Sequence, residues 1–330
     1  MKHPLFTDVS RSPDDDAPRR ALAEALRSEG DPRGEFIDLQ LDTQTIFWSE
    51  TRTGSLNRRV VAPEVMKRMT ALFRKHRRAW FDDARVGLNE MGVARGFVEF
   101  GEAGVEKFLA NADAVFANSP MRVLTLSTPK KSVWPALASA PWWSRLRGAY
   151  LGPLKPGPAE LSRLLANPGF TALRQLSLTS APLGAEGVAM LVAAPFTQLE
   201  ELDLKVASVP HAVVPAIVAA PWFAKLRVAN LADNPMYTFD AKYTPETADE
   251  RRKLVDAICA LPPGISALSL PCTLTDDDLA RLAAAPVASS LKSLDVSISE
   301  AVTARAIAAF NEGRAEPVDL SGFPVMFRDP

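Results

Sequence analysis

From about residue 121 onward the chain repeats one short phrase. Leu173-x-x-Leu176-x-Leu178 returns as Leu199-x-x-Leu202-x-Leu204, Leu226-x-x-Ala229-x-Leu231, Ile265-x-x-Leu268-x-Leu270 and Leu291-x-x-Leu294-x-Val296. Looser copies stand at Met121-x-x-Leu124-x-Leu126 and Leu146-x-x-Ala149-x-Leu151. Taken by their fourth position (124, 149, 176, 202, 229, 268, 294), the copies lie 25 to 27 residues apart, with one step of 39 between 229 and 268. Such a unit holds a short strand, a turn, a helix of about ten residues and a return loop. One unit cannot bury its apolar side alone, so neighbours must stack over a shared core. The phrase therefore predicts an α/β solenoid, a horseshoe with parallel strands on the concave side and helices on the convex side.

Proline supports the same phase. It recurs where each helix should stop, in Ala140-Pro141, Asn167-Pro168, Ala194-Pro195, Ala220-Pro221, Leu261-Pro262 and Ala285-Pro286. It donates no ladder hydrogen bond and biases its predecessor away from helix. Alanine-rich stretches such as Val188–Ala194 and Leu279–Ala285 let the helices approach the sheet closely.

In these features residues 121–330 resemble a bacterial leucine-rich repeat protein of the ribonuclease-inhibitor-like class. Asn234, three residues after Leu231, stands where that family's asparagine ladder places a side chain that satisfies the backbone. Ala181, Ala207, Thr273 and Ser299 hold the matching place in other copies, so most turns must satisfy their backbone otherwise. The widened step is an insertion at about 235–252. Its Tyr237, Phe239 and Tyr243 are candidate binding residues, since long loops with aromatic and polar residues are common sites of binding; a decorated turn is the other reading.

The N-terminal stretch reads as two helices. Ala17–Leu26 has an apolar side and a natural stop at Gly30, and Asp31-Pro32 supplies an N-cap and a first-turn proline for Glu35–Leu41. From Pro13-Asp14-Asp15-Asp16-Ala17-Pro18-Arg19 through Gly30-Asp31-Pro32-Arg33-Gly34-Glu35-Phe36-Ile37-Asp38-Leu39-Gln40, the sequence resembles the repeat-companion domain that precedes leucine-rich repeats in myxobacteria and planctomycetes. It departs at Leu22, Glu24 and Ala25, where the family usually carries Tyr, Asp and Trp. The resemblance implies architecture and brings no catalytic activity with it.

The expected organisation is an α-helical companion module over 1–44, a linking region over 45–120 and the repeat domain over 121–330. Within the linking region, 45–62 reads as an exposed loop. Pro63 opens a helix with Val65, Met66, Met69, Leu72, Phe73 and Trp80 on one side and Lys67, Arg68, Arg74, Lys75, Arg77 and Arg78 on the other. A phosphate contact is one reading of the basic side; a solvated helix surface is the other, and it fits better because no aromatic platform is interleaved. Val98 and Phe100 read as the inward residues of a capping strand.

The formal net charge of −1 at pH 7 argues against adhesion to nucleic acid or anionic membrane by the protein as a whole. No apolar run reaches signal-peptide or membrane-spanning length, and Cys259 and Cys272 are too few for a disulfide framework, so the expected setting is the cytoplasm. His3, His76 and His211 have no metal-ligand spacing, and no phosphate loop or nucleophile motif appears. No catalytic residue, metal or cofactor is expected.

In each repeat strand the residues between the inward leucines point the other way. This places Tyr150, Gln175, Glu201, Asp203, Lys205, Asn230 and Asp295 on one face with Asp233 nearby. The face is neutral in its first half and acidic from Glu201 onward. One reading is a hydrophilic sheet facing solvent; the other is a mildly acidic groove for a protein or peptide partner with a basic segment, with the insertion as a side wall. The expected function is a non-enzymatic interaction scaffold. The alternative is a GTPase-activating regulator of a small GTPase, a role that ribonuclease-inhibitor-like repeats imply, with Arg227 and Asn230 as its candidates.

Overall fold

The computed structural model describes residues 3–48, 53–55, 61–127, 133–234, 246–295 and 302–320. The chain divides into two compact units between Leu137 and Ala138. The insertion residues Tyr237, Phe239 and Tyr243, together with Val296 and Ser299, lie outside the described residues.

In the first unit, α1 (Phe6–Arg11), α2 (Ala17–Ser28) and α3 (Pro32–Thr43) precede β1 (Thr45–Trp48) and β2 (Thr53–Ser55). Then come α4 (Pro63–Arg85), β3 (Glu90–Ala94), β4 (Phe97–Gly104), α5 (Val105–Asn118) and β5 (Val123–Ser127). Asp31 caps α3 by accepting from Arg33 N at 2.8 Å, and Gly30 holds the left-handed φ of +78° that the preceding helix end requires.

Two features depart from the sequence reading. The first is α1, a helix that packs Phe6 and Val9 into a cluster with Leu22, Leu26, Ile37, Leu41 and Phe97. The helices thus share their core with strand β4. The second is residues 45–62, read as a loop. Thr45–Trp48 is instead a strand with Ile46 and Phe47 buried, pairing antiparallel with β2 on one side and β3 on the other. Its Thr-Ile-Phe-Trp composition suits a pleated surface, a signal outweighed by the polar residues that follow it.

Strand order in this unit is β5-β4-β3-β1-β2, with only the β4–β5 pair parallel. Arg95 and Gly96 turn the β3–β4 hairpin with φ of 49° and 81°. A Cβ at Gly96 would overlap Ile37, so no other residue fits there. Gln40 ties α3 to the sheet, donating to Thr45 O at 2.8 Å and Val93 O at 2.9 Å and accepting from Gly96 N at 2.7 Å. Val98 and Phe100 are buried as expected, but so are Phe97 and Glu99, because β4 is covered on both faces.

A short helix, α6 (Trp134–Ala138), spans the boundary residues. The second unit then alternates strand and helix: β6 (Gly148–Tyr150), α7 (Pro158–Leu165), α8 (Pro168–Thr171), β7 (Gln175–Ser177), α9 (Gly184–Ala193) and β8 (Glu201–Asp203). It continues with α10 (Val214–Val218), β9 (Val228–Asn230), α11 (Ala248–Cys259), β10 (Ala267–Ser269), α12 (Asp276–Ala284), β11 (Ser293–Asp295) and α13 (Ala304–Asn311). Neighbouring strands pair parallel, so this unit is a solenoid-like α/β repeat.

The inward residues Leu176, Leu202, Ala229, Leu268 and Leu294 are all 0% exposed and lie in register across the sheet. Proline follows α9, α10, α11 and α12 within three residues, and Pro168 and Pro286 also open the next short turn.

The turns after the strands answer the missing asparagine ladder. Asn234 fills its place as expected, donating to Leu204 O at 2.7 Å and Leu231 O at 3.0 Å while accepting from Val209 N at 3.1 Å. Where alanine stands instead, the backbone closes on itself: Ala181 N donates to Leu178 O at 2.9 Å and Ala207 N to Leu204 O at 3.0 Å. Just before that place Ser180, Val206 and Asp233 adopt φ of 62°, 56° and 55°, the same left-handed step in three successive repeats.

Candidate functional site

Because the strands of the second unit pair in exact parallel register, their other face carries two straight rows. One is Gly148, Gln175, Glu201, Val228, Ala267 and Ser293; the other is Tyr150, Ser177, Asp203, Asn230, Ser269 and Asp295. With strands about 4.8 Å apart, each row of six runs for about 24 Å.

Hydrogen bonds link neighbouring repeats along these rows and, through Thr179, just beyond them. Gln175 Nε2 donates to Glu201 Oε1 at 3.2 Å, Thr179 Oγ1 to Asp203 Oδ2 at 2.9 Å, and Ser269 Oγ to Asp295 Oδ2 at 3.0 Å. The face is less solvated than alternation alone implies. Gln175 and Asn230 are buried, Tyr150, Glu201, Asp203, Asp233 and Asp295 are half-buried, and Lys205 is exposed. Lys205 Nζ pairs with Asp233 Oδ2 at 3.0 Å. Asn230 spends its Oδ1 on Ala232 N at 3.1 Å, holding the turn after β9. Arg227 is exposed at the start of that strand.

Tyr150, Glu201 and Asp203 act on one another electrostatically. Burial, and then the two carboxylates, push the Tyr150 phenol far above its ordinary range, so it stays a neutral hydrogen-bond donor. Burial likewise raises Asp203, opposed by hydrogen bonds from Lys205 N and Thr179 and by the Lys205 charge. A cation brought to this place would relieve both.

The sequence reading placed the carboxylates on the face but missed what holds them. Ser177, Thr179 and Ser269 fix Asp203 and Asp295, and the signal was available. Ser177 and Asp203, like Ser269 and Asp295, are 26 residues apart and therefore in register.

Other chemistry-bearing residues sit apart from these rows. His211 is buried with its Nε2 3.9 Å from Glu246 Oε2. Glu246 accepts from Thr273 N at 2.9 Å and from the Thr273 hydroxyl. Cys259 is half-buried, and burial pushes the Cys272 thiol up to about 12. Among the described residues no group of three or more His, Cys, Asp and Glu side chains could hold a metal ion, and no helix is long and apolar enough to cross a membrane.

No protein-family model matches the sequence, and no curated protein is similar to it. Among solved structures, the chain is similar to one from the crystal structure of the Rad7 and Elc1 complex of yeast, at 13% identity and a TM-score of 0.33. That similarity covers 62% of this chain and 69% of the yeast one.

Proposed function

We propose that the protein is a non-enzymatic interaction scaffold, and that the strand face of its second unit, the concave wall of a horseshoe, receives a polypeptide with a basic segment. The observation that carries this reading is the pair of in-register rows, which hold Tyr150, Glu201, Asp203 and Asp295 on paired strands. Side chains already fixed by hydrogen bonds lose little entropy on binding. Each row is as long as about seven residues of extended peptide. The half-buried carboxylates favour Lys or Arg on that peptide, and Tyr150 offers an aromatic edge with a phenol donor. No cofactor or metal enters the reading.

The test is affinity capture from the native lysate with the full chain and with Glu201→Lys, whose fold is checked by circular dichroism. A partner retained by the parent chain at low salt, weakened by added salt and lost with Glu201→Lys supports the reading. A partner retained equally by both chains places the interaction elsewhere. Recovery of a small GTPase whose nucleotide hydrolysis the chain accelerates would replace the scaffold by a GTPase-activating regulator.

A further inference from the structure

The longest helix described, α4, keeps its apolar residues Met69, Leu72, Phe73, Phe81 and Ala84 buried in the first unit. At 100° per residue, Lys67, Arg74, Arg78 and Arg85 fall within a 40° arc on its outer side, a row of about 27 Å. All four are exposed, and none forms an ion pair among the described residues. Lys75 is exposed on the margin of the row. Arg74 and Arg78, four residues apart, are like charges facing each other on the helix surface.

The same helix shows what such a group accepts. Arg68, on the flank of the row, already holds the Glu35 carboxylate of α3 in a two-pronged contact at 2.7 and 2.6 Å. That carboxylate comes from a helix packed beside α4. We propose that the Lys67–Arg74–Arg78–Arg85 row docks a short acidic segment of a partner protein, with carboxylates at helical spacing meeting the guanidinium groups in the same manner.

Two features favour an acidic peptide over a nucleic acid. Glu64 and Asp82 sit at the margin of the row and would oppose a uniformly charged phosphate backbone, whereas a peptide can place a basic or neutral residue opposite them. No exposed aromatic side chain stands on the row to stack a base: Phe81, beside Arg74 in projection, is buried, and His76 and Trp80 lie on the other side of the helix, stacked on each other at 4.9 Å. A membrane surface would call for exposed apolar residues beside the charges, and Val86 is the one large exposed hydrophobic among the described residues. The inference is independent of the strand face, which attracts the opposite charge.

Fluorescence anisotropy with the full chain tests it. The probes are a labelled 18-residue peptide carrying Glu at every third and fourth position, its Lys counterpart and a single-stranded oligodeoxynucleotide of equal charge. Vesicles containing phosphatidylserine are added in a sedimentation assay. The Glu peptide should bind in low salt, and Arg74→Glu/Arg78→Glu should weaken it by about tenfold or more. Lys225→Glu/Lys292→Glu, which reverses exposed charges elsewhere, should leave it unchanged. Equal binding of the Glu peptide by the two double variants overturns the proposal, as does tighter binding of the oligonucleotide or the vesicles, or no binding of the Glu peptide at low salt.

Discussion

Arg19 and Glu99 lie 80 residues apart in the chain and 2.7 Å apart in space, and neither side chain is exposed to solvent. Arg95 closes on the same carboxylate at 2.6 Å and reaches Asp16 at 3.1 Å, so one buried anion anchors two cations and fastens α2 to β4. Burial lowers the Arg19 pKa, and the Glu99 charge works against it. Removing the anion leaves the fully buried Arg19 guanidinium without its carboxylate, while Arg95 keeps Asp16 and the Pro13 carbonyl. Glu99→Gln should therefore cost about 3–5 kcal/mol in urea unfolding of the first unit. A loss below about 1 kcal/mol would mean that the two arginines find other partners.

Asn234 satisfies buried backbone groups of two successive repeats with one amide. Asn234→Ala leaves the Val209 N–H and the Leu204 carbonyl without it, and should cost on the order of 1–3 kcal/mol. Asn234→Asp turns a carboxylate oxygen toward the Leu204, Leu231 and Ala232 carbonyls in a buried site, so it should cost at least as much as Asn234→Ala. A melting temperature unchanged in both variants would contradict this role.

Val206 occupies the left-handed turn position that Ser180 and Asp233 share, with φ of 56°. A β-branched residue is strained there, and asparagine tolerates the conformation. Val206→Asn should raise stability by about 1 kcal/mol in chemical denaturation, less whatever the half-buried valine contributes by packing. A destabilised Val206→Asn protein would show that packing outweighs strain.

His211 makes the second unit sensitive to pH. Burial lowers its pKa from the ordinary value of 6.5, with the nearby carboxylates of Glu246 and Glu250 pulling the other way. The folded protein thus binds a proton less readily than the unfolded chain, so the contribution of neutral His211 is fully present above pH 6.5. It is lost as pH falls from that value through the lowered pKa of the folded state. Urea midpoints measured from pH 7.5 to 5 should decline for the parent chain and decline less for His211→Gln. Parallel curves would show that other groups carry the acid response.

The repeat was legible because its signal is local and periodic. Leucine spacing fixes which strand residues face inward, proline marks the helix ends, and Asn234 declares its turn. The first unit was harder for the opposite reason. Glu99 sits between the apolar Val98 and Phe100 and is intelligible only beside Arg19, a partner that no local pattern reveals. The Thr45–Trp48 strand carried the right composition, yet its pairing with β3 depends on residues far along the chain. On the candidate face, alternation found Glu201, Asp203 and Asp295. The support of Asp203 by Thr179 and Ser177, and of Asp295 by Ser269, emerges only when the repeats are laid side by side in register. The burial of Gln175 and Asn230 follows from neighbouring repeats crowding together, which a single strand read alone does not convey.

The central claim, that the strand face of the second unit is where a polypeptide partner sits, is tested most directly by photocrosslinking in the cells that make the protein. Benzoylphenylalanine is placed singly at Tyr150 and Glu201 on the face, and at the exposed helix positions Arg163 and Glu186. The account predicts one discrete protein adduct from the first two positions, diminished by added salt in lysate, and none from the helix positions. Adducts from Arg163 or Glu186 with none from Tyr150 and Glu201 would contradict it.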